Sequence, residues 1–394
     1  MNYNEDAVAN LISVPVGQLG IVALPGCEEM AASIDHYLVK WRKTRGFTEK
    51  DPLEFACYEK DSYIINMDFP RFGTGEGKAS LHETVRGYDI FVLCDCFNYG
   101  VEYEIYGRKV PMSPDDHYAN LKRAISAIEG KARRITVIMP MLYEGRQHKR
   151  TSRESLDCAT ALQELCEYMG VDNIITFDAH DPRVQNAIPL KGFESIRVSY
   201  QMIKAMTKSL DDLKIDKDHL MIISPDEGGM GRCIYYSTIL GVELGMFYKR
   251  RDFSRIVNGR NPITAHEFLG ASLDGKDVII VDDMISSGES MIEVAGKLKE
   301  LGANRIFINA TFGLFCNGLE VFDKAYADGI FTKVYCTNLI YRTEELKKRE
   351  WFCEVNCFKY IAYIIDTLNH DISVSQLMEP ADRIRKLLEK YNNR

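Results

Sequence analysis

Residues Val278-Ile279-Ile280-Val281-Asp282-Asp283-Met284-Ile285-Ser286-Ser287-Gly288-Glu289-Ser290 constrain the fold more than any other stretch. The β-branched run predicts a strand covered on both faces, which requires a layered α/β arrangement. Ser286, Ser287, Gly288 and Ser290 predict a turn whose backbone N–H groups converge on an anion at a helix N-terminus. Asp282 and Asp283 then fall at the carboxyl end of the strand, where open α/β sheets take ligands. Read alone, the acidic pair is equally well explained as solvated carboxylates beside an ordinary turn.

The same alternation continues along the chain. Strands are predicted at Ile90–Cys94, Ile135–Pro140, Ile174–Phe177, His219–Ser224, Val278–Val281, Arg305–Ala310 and Lys333–Cys336. Helices are predicted between them, among others at Tyr118–Glu129, Asp157–Met169, Tyr200–Leu213, Ser290–Leu301 and Glu344–Arg349. Elements alternating in this way imply parallel sheets with crossover helices, hence an α/β fold. A weak internal repeat of helix, strand and loop divides the chain near residues 190–215. Residues 99–116 are long for a plain connection and read as a mobile functional loop or a surface insertion.

Composition narrows the function classes. At 394 residues the chain is too long for one ordinary core, and its net charge of −8 argues against a basic nucleic-acid face. No apolar run reaches membrane-spanning length, and the start Met1-Asn2-Tyr3-Asn4-Glu5-Asp6 is acidic where a secretory signal would be basic. Eleven scattered cysteines without zinc-site spacing fit reduced thiols and a cytoplasmic location.

Three further segments gain meaning together. Ser224-Pro225-Asp226-Glu227-Gly228-Gly229 follows a strand and offers Asp226 as a metal ligand, or as an Asp closing its own turn. Asp178-Ala179-His180-Asp181 places an imidazole among acids at another strand end. Lys249-Arg250-Arg251, with Arg255 and Arg260 beyond, reads either as a solvated face or as a mobile cationic arm able to close over a polyphosphate. With the basic loop Gly145-Arg146-Gln147-His148-Lys149-Arg150, these describe phosphoryl transfer better than acid–base hydrolysis.

At this point the chain resembles the ribose-phosphate pyrophosphokinase family. Phe72-Gly73-Thr74-Gly75-Glu76 is similar to its adenine-contacting Phe-Ser-Asp-Gly-Glu, and Thr84-Val85-Arg86-Gly87-Tyr88-Asp89 to the segment that follows. Gly145-Arg146-Gln147, Asp178-Ala179-His180, Ser224–Gly229, Lys249-Arg250-Arg251 and Ser373-Val374-Ser375-Gln376-Leu377 resemble later family segments in the family's order.

The resemblance implies two tandem phosphoribosyltransferase-type domains, each a mostly parallel sheet flanked by helices. These are expected at 1–200 for ATP and 201–368 for ribose 5-phosphate, with a helical tail at 369–394. It implies conversion of ATP and ribose 5-phosphate to phosphoribosyl pyrophosphate and AMP, with Mg²⁺ as cofactor and a homo-oligomer of dimers, up to a hexamer, as the assembly. Phe72, Glu76, Arg146 and Gln147 would bind ATP. Asp282, Asp283, Ser286, Ser287, Gly288 and Ser290 would bind ribose 5-phosphate, His180 and Asp226 would hold metal, and Lys249 and Arg251 would be catalytic. No nucleic-acid or membrane partner is expected.

The chain departs from the family pattern in several places. Glu289 puts a carboxylate in the phosphate turn, tolerable if it points outward, His148 stands where an Asp is expected, and Phe312 where a His is common. The other readings are a noncatalytic regulatory subunit of such a synthetase, or a phosphoribosyltransferase.

Overall fold

The structure is a computed structural model that describes residues 13–46, 55, 57–128, 130–251 and 263–393; for 249–251 and 263–266 the backbone alone is described. It separates into two compact units. The first is Met1–Arg197 with Leu339–Tyr341 and Asn356–Glu379; the second is Val198–Asn338 with Arg342–Val355 and Pro380–Arg394.

The first unit contains β1 (Gln18–Ala23), β2 (Met67–Asp68), β3 (Ser80–Leu81), β4 (Tyr88–Leu93), β5 (Glu102–Ile105), β6 (Arg108–Pro111), β7 (Arg134–Ile138), β8 (Asn173–Phe177) and β9 (Gly192–Ile196). Its main sheet runs β1-β4-β7-β8-β9, with every pair parallel. Runs such as Ile90–Leu93 and Ile135–Ile138 are buried throughout, as expected for strands covered by helices on both faces. Asp89 at the start of β4 does structural work: its carboxylate accepts from Arg134 Nε at 2.8 Å and from Asn369 Nδ2 at 2.9 Å. A second buried network joins the helices Glu28–Arg45 and Phe358–Asn369, where Asp366 pairs with both Arg42 and Arg45. Burial pushes the Asp366 carboxyl up, but the Arg45 hydrogen bond and the two guanidinium charges outweigh it and hold the group below its ordinary value.

Residues 99–116 contain the antiparallel hairpin β5–β6, after which the helix Pro114–Ile128 begins. The helix expected at Asp157–Met169 is α-helical over Asp157–Gln163 and continues as a π-turn over Glu164–Tyr168.

The second unit contains β10 (Leu220–Ser224), β11 (Glu243–Arg251), β12 (Ile263–Leu269), β13 (Asp277–Ile285), β14 (Ile306–Gly313), β15 (Lys333–Thr337) and β16 (Phe352–Val355). The sheet order is β12-β11-β10-β13-β14-β15-β16. All pairs are parallel except β11–β12. The chain moves outward from β10 to β12 and then returns to β13 on the other side of β10. The β10/β13 boundary is therefore a topological switch point, where loops diverge and leave a crevice at the carboxyl ends. Each unit thus has a mostly parallel sheet flanked by helices, the α/β fold expected. Among the described residues no helix is long and apolar enough to cross a membrane.

Candidate functional site

In the second unit the candidate residues gather at the switch point. β13 runs through the acidic pair and ends at Ile285, longer than the expected Val278–Val281, because Asp282, Met284 and Ile285 stay in register with Ala310, Phe312 and Gly313 of β14. Phe312 is buried on that neighbouring strand. Asp283 is buried, and its N–H donates to Asp282 Oδ1 at 2.9 Å. Burial, then the neighbouring Asp283 charge, push the Asp282 carboxyl well above its ordinary pKa, with Arg232 opposing at 3.6 Å.

Past β13, Gly288 sits at φ 85° and leads into the helix Glu289–Glu300, which has no side-chain cap. The first-turn N–H groups of that helix have no intrahelical acceptors, which leaves them available to an anion. A Cβ on Gly288 would lie 2.1 Å from Phe322 Cε2, so only glycine fits. Glu289 is exposed and accepts from Asn317 Nδ2 at 3.4 Å, on the outward course its place in this turn requires. Gly288→Ala is expected to destabilise the chain by more than about 1 kcal/mol, since it adds both left-handed strain and a clash. Thermal unfolding checks the stability, and titration with inorganic phosphate checks the cradle.

Asp226 follows β10. Its Oδ1 accepts from Gly228 N at 2.9 Å and Gly229 N at 3.3 Å, closing its own turn. Arg232, in the first turn of the helix Met230–Leu240, bridges from this loop to Asp282. No sequence signal singled it out, since it lies outside the Ser224–Gly229 motif. Lys249 and Arg251 end β11, but their side chains lie outside the described residues, as do Arg255 and Arg260 entirely.

In the first unit, Phe72–Glu76 is a tight turn closed by Phe72 N to Glu76 O at 2.9 Å and Gly75 N to Phe72 O at 2.8 Å. Phe72 is 56% exposed. Arg146 and Gln147 are exposed on the loop after β7, and His180 is exposed after β8. The His148 and His180 rings lie 5.3 Å apart, and His148 Nε2 approaches Asp181 Oδ2 at 3.5 Å. Arg183 draws the Asp181 carboxyl down to about 2, while burial lowers the His148 pKa.

Two carboxylates that the sequence reading passed over tie these loops together. Asp116 pairs with Arg71, next to Phe72, at 3.3 Å, and Asp115 accepts from Tyr143 OH, at the start of the Arg146 loop, at 2.6 Å. Both lie in the first turn of the helix Pro114–Ile128, where acids favour the helix dipole. That preference was a legible signal for a helix start, but nothing in the sequence said which loops the acids would hold.

Donors for a metal are few. His180 and Asp226 stand in different units, and no group of three or more His, Cys, Asp or Glu suited to a metal occurs among the described residues. Asp226, a single hard carboxylate, fits Mg²⁺, which commonly takes one or two carboxylates together with phosphate oxygens and water, whereas the His180 imidazole is a borderline donor that Mg²⁺ takes less readily.

Comparisons with known proteins agree with this layout. The N-terminal domain of ribose phosphate pyrophosphokinase matches residues 19–170, and the phosphoribosyl transferase domain matches 192–332. A ribose-phosphate pyrophosphokinase of Ralstonia nicotianae is 29% identical over 274 residues, 68% of this chain and 76% of that protein. One from Mycoplasmopsis pulmonis is 26% identical over 325 residues, 82% of this chain and 91% of that protein. The crystal structure of phosphoribosylpyrophosphate synthetase from Mycobacterium smegmatis shares the fold with a TM-score of 0.70 at 20% identity, covering 90% of this chain and 99% of that one. The two domain matches span most of the chain in the order in which its two sheets occur, and the chain belongs to the ribose-phosphate pyrophosphokinase family.

Proposed function

We propose that the chain is a ribose-phosphate diphosphokinase, transferring the β,γ-diphosphoryl group of ATP to the 1-hydroxyl of ribose 5-phosphate to give phosphoribosyl pyrophosphate and AMP. The observation that carries this reading is the β13 junction, where an acidic pair and an uncapped helix N-terminus follow one another at a switch point. Asp282 and Asp283 accept hydrogen bonds from the ribose 2- and 3-hydroxyls. The 286–290 turn takes the 5-phosphate on its N–H groups and on the hydroxyls of Ser286, Ser287 and Ser290. In the first unit Phe72 stacks on the base, Glu76 helps to orient it, and Arg146 and Gln147 contact the phosphates.

The anomeric hydroxyl attacks the β-phosphorus and AMP leaves. Charge spreads over the equatorial oxygens, so catalysis needs positioned cations rather than a covalent nucleophile. Lys249 and Arg251 supply them. His180 and Asp226 would each offer a donor to Mg²⁺ ions, which would neutralise polyphosphate charge. A homo-oligomer in the cytoplasm, with reduced cysteines, completes the reading.

The test is a coupled assay for AMP and phosphoribosyl pyrophosphate with ATP, Mg²⁺ and ribose 5-phosphate, against a control without sugar. Sugar-dependent release of AMP with product formation is expected. ATP and sugar binding without turnover would overturn the catalytic reading in favour of a regulatory subunit.

A further inference from the structure

The β5–β6 hairpin is bound to the Phe72–Glu76 turn by several independent contacts. Tyr106 N donates to Gly73 O at 2.9 Å, and Ile105 lies so close to Gly75 that a Cβ there would be 2.6 Å from Ile105 Cδ1. The Arg71 guanidinium sits 4.5 Å from the centre of the Tyr103 ring. The two-residue tip, Tyr106-Gly107, has φ values of 47° and 72°, the doubly left-handed form of a tight hairpin turn. Asn or Gly is the usual first residue there, and a bulky side chain in that conformation is an outlier that invites a functional explanation. The backbone bond to Gly73 would be made by any residue, so it does not explain the tyrosine ring. Tyr106 is 79% exposed, and Phe72, in the turn whose Gly73 carbonyl holds the Tyr106 N–H, is 56% exposed.

We propose that Tyr106 is a second aromatic contact for the nucleobase, paired with Phe72, and that the hairpin is the device that delivers it. A strained, solvent-facing aromatic anchored through its backbone to a turn that carries another exposed aromatic suits a planar, polarisable ligand, and a purine ring offers such a face. The inference rests on the assignment of the Phe72 turn to ATP. It adds a specificity-determining residue in a hairpin that the family segments did not account for.

The test uses the full chain and calorimetric titration with ATP, and separately with inorganic tripolyphosphate and ribose 5-phosphate. Tyr106→Gly relieves the left-handed strain while removing the ring. It is expected to weaken ATP binding about tenfold, the lower range for losing one base stack. Tripolyphosphate and ribose 5-phosphate affinities should be unchanged, and the unfolding temperature unchanged or raised. Tyr106→Phe, which keeps the ring, is expected to bind ATP as the parent does.

Parent-like ATP affinity in Tyr106→Gly, with Phe72→Ala weakened, would overturn the role of Tyr106 and leave the nucleotide assignment standing. Parent-like affinity in both variants would overturn that assignment too. A change of mass by analytical ultracentrifugation in Tyr106→Gly, with ATP affinity intact, would make the exposed ring an interface residue and also overturn the proposal.

Discussion

Lys249→Ala is expected to lower turnover by on the order of a hundredfold or more while leaving ribose 5-phosphate binding unchanged. β11 pairs with β10 from Met221↔Glu243 to Ser224↔Met246, and β10 ends there. Lys249 lies three residues further along β11, so at about 3.3 Å per residue it stands roughly 10 Å beyond the end of β10. Only the edge strand β12 accompanies it, with Lys249 opposite His266 and a register shift between Arg250 and Arg251. A backbone position beyond the strand end and outside the 286–290 turn is the basis for expecting Lys249 to matter for turnover and not for sugar binding. The coupled AMP assay measures the first effect and calorimetry with ribose 5-phosphate the second. Near-parent activity would remove the 249–251 segment from the mechanism, and joint loss of sugar binding would recast it as part of the sugar site.

The elements legible in the sequence were those whose physics is local. Val278–Val281 announced a buried strand because β-branched residues crowd a helix and suit a pleated, covered surface. Gly288 announced its turn because the conformation required there excludes side chains, and the clash with Phe322 gives the same answer from packing. Glu289 could be judged only conditionally, since its direction depends on the helix it opens.

What escaped the reading was long-range. The edge strand β12 pairs antiparallel with β11, a partner separated from it by residues that carry no strand pattern of their own. The returns of Leu339–Tyr341 and Asn356–Glu379 to the first unit are invisible to any single cut of the chain. Asp89 lay within a motif that looked like part of a site, yet it is spent on Arg134 and Asn369. Arg71, Asp115, Asp116 and Tyr143 tie the Phe72 turn and the Arg146 loop to one helix, and only the folded chain brings them within hydrogen-bond distance. Side chains proposed to touch ligand were chosen by residue type and strand-end position, which are local. Those that hold the loops in place were not, because their partners are set by tertiary contact.

The acidic pair carries the second large effect, and it has opposite signs for binding and for stability. Asp282→Asn/Asp283→Asn together are expected to weaken ribose 5-phosphate binding by about 3 kcal/mol or more, since a hydrogen bond to a charged acceptor contributes roughly 1.5–3 kcal/mol. That corresponds to a hundredfold or more in affinity, with ATP binding untouched. Asp282→Asn alone is expected to raise folding stability at neutral pH. Burial and the Asp283 charge raise the Asp282 pKa in the folded chain, and a carboxyl raised in this way favours folding in acid and opposes it as pH rises through its folded value. Removing the charge therefore relieves a repulsion that the free protein sustains when both groups ionise. Urea denaturation at pH 7 and at pH 4 reads this directly: the stability gain should be larger at pH 7. A variant that loses stability at pH 7 would mean that the Arg232 ion pair at 3.6 Å outweighs burial and the like charge, and the pair would then be a structural bridge first. A gain, together with lost sugar affinity, would identify a site whose two carboxylates are held close against their repulsion because the ribose diol needs both.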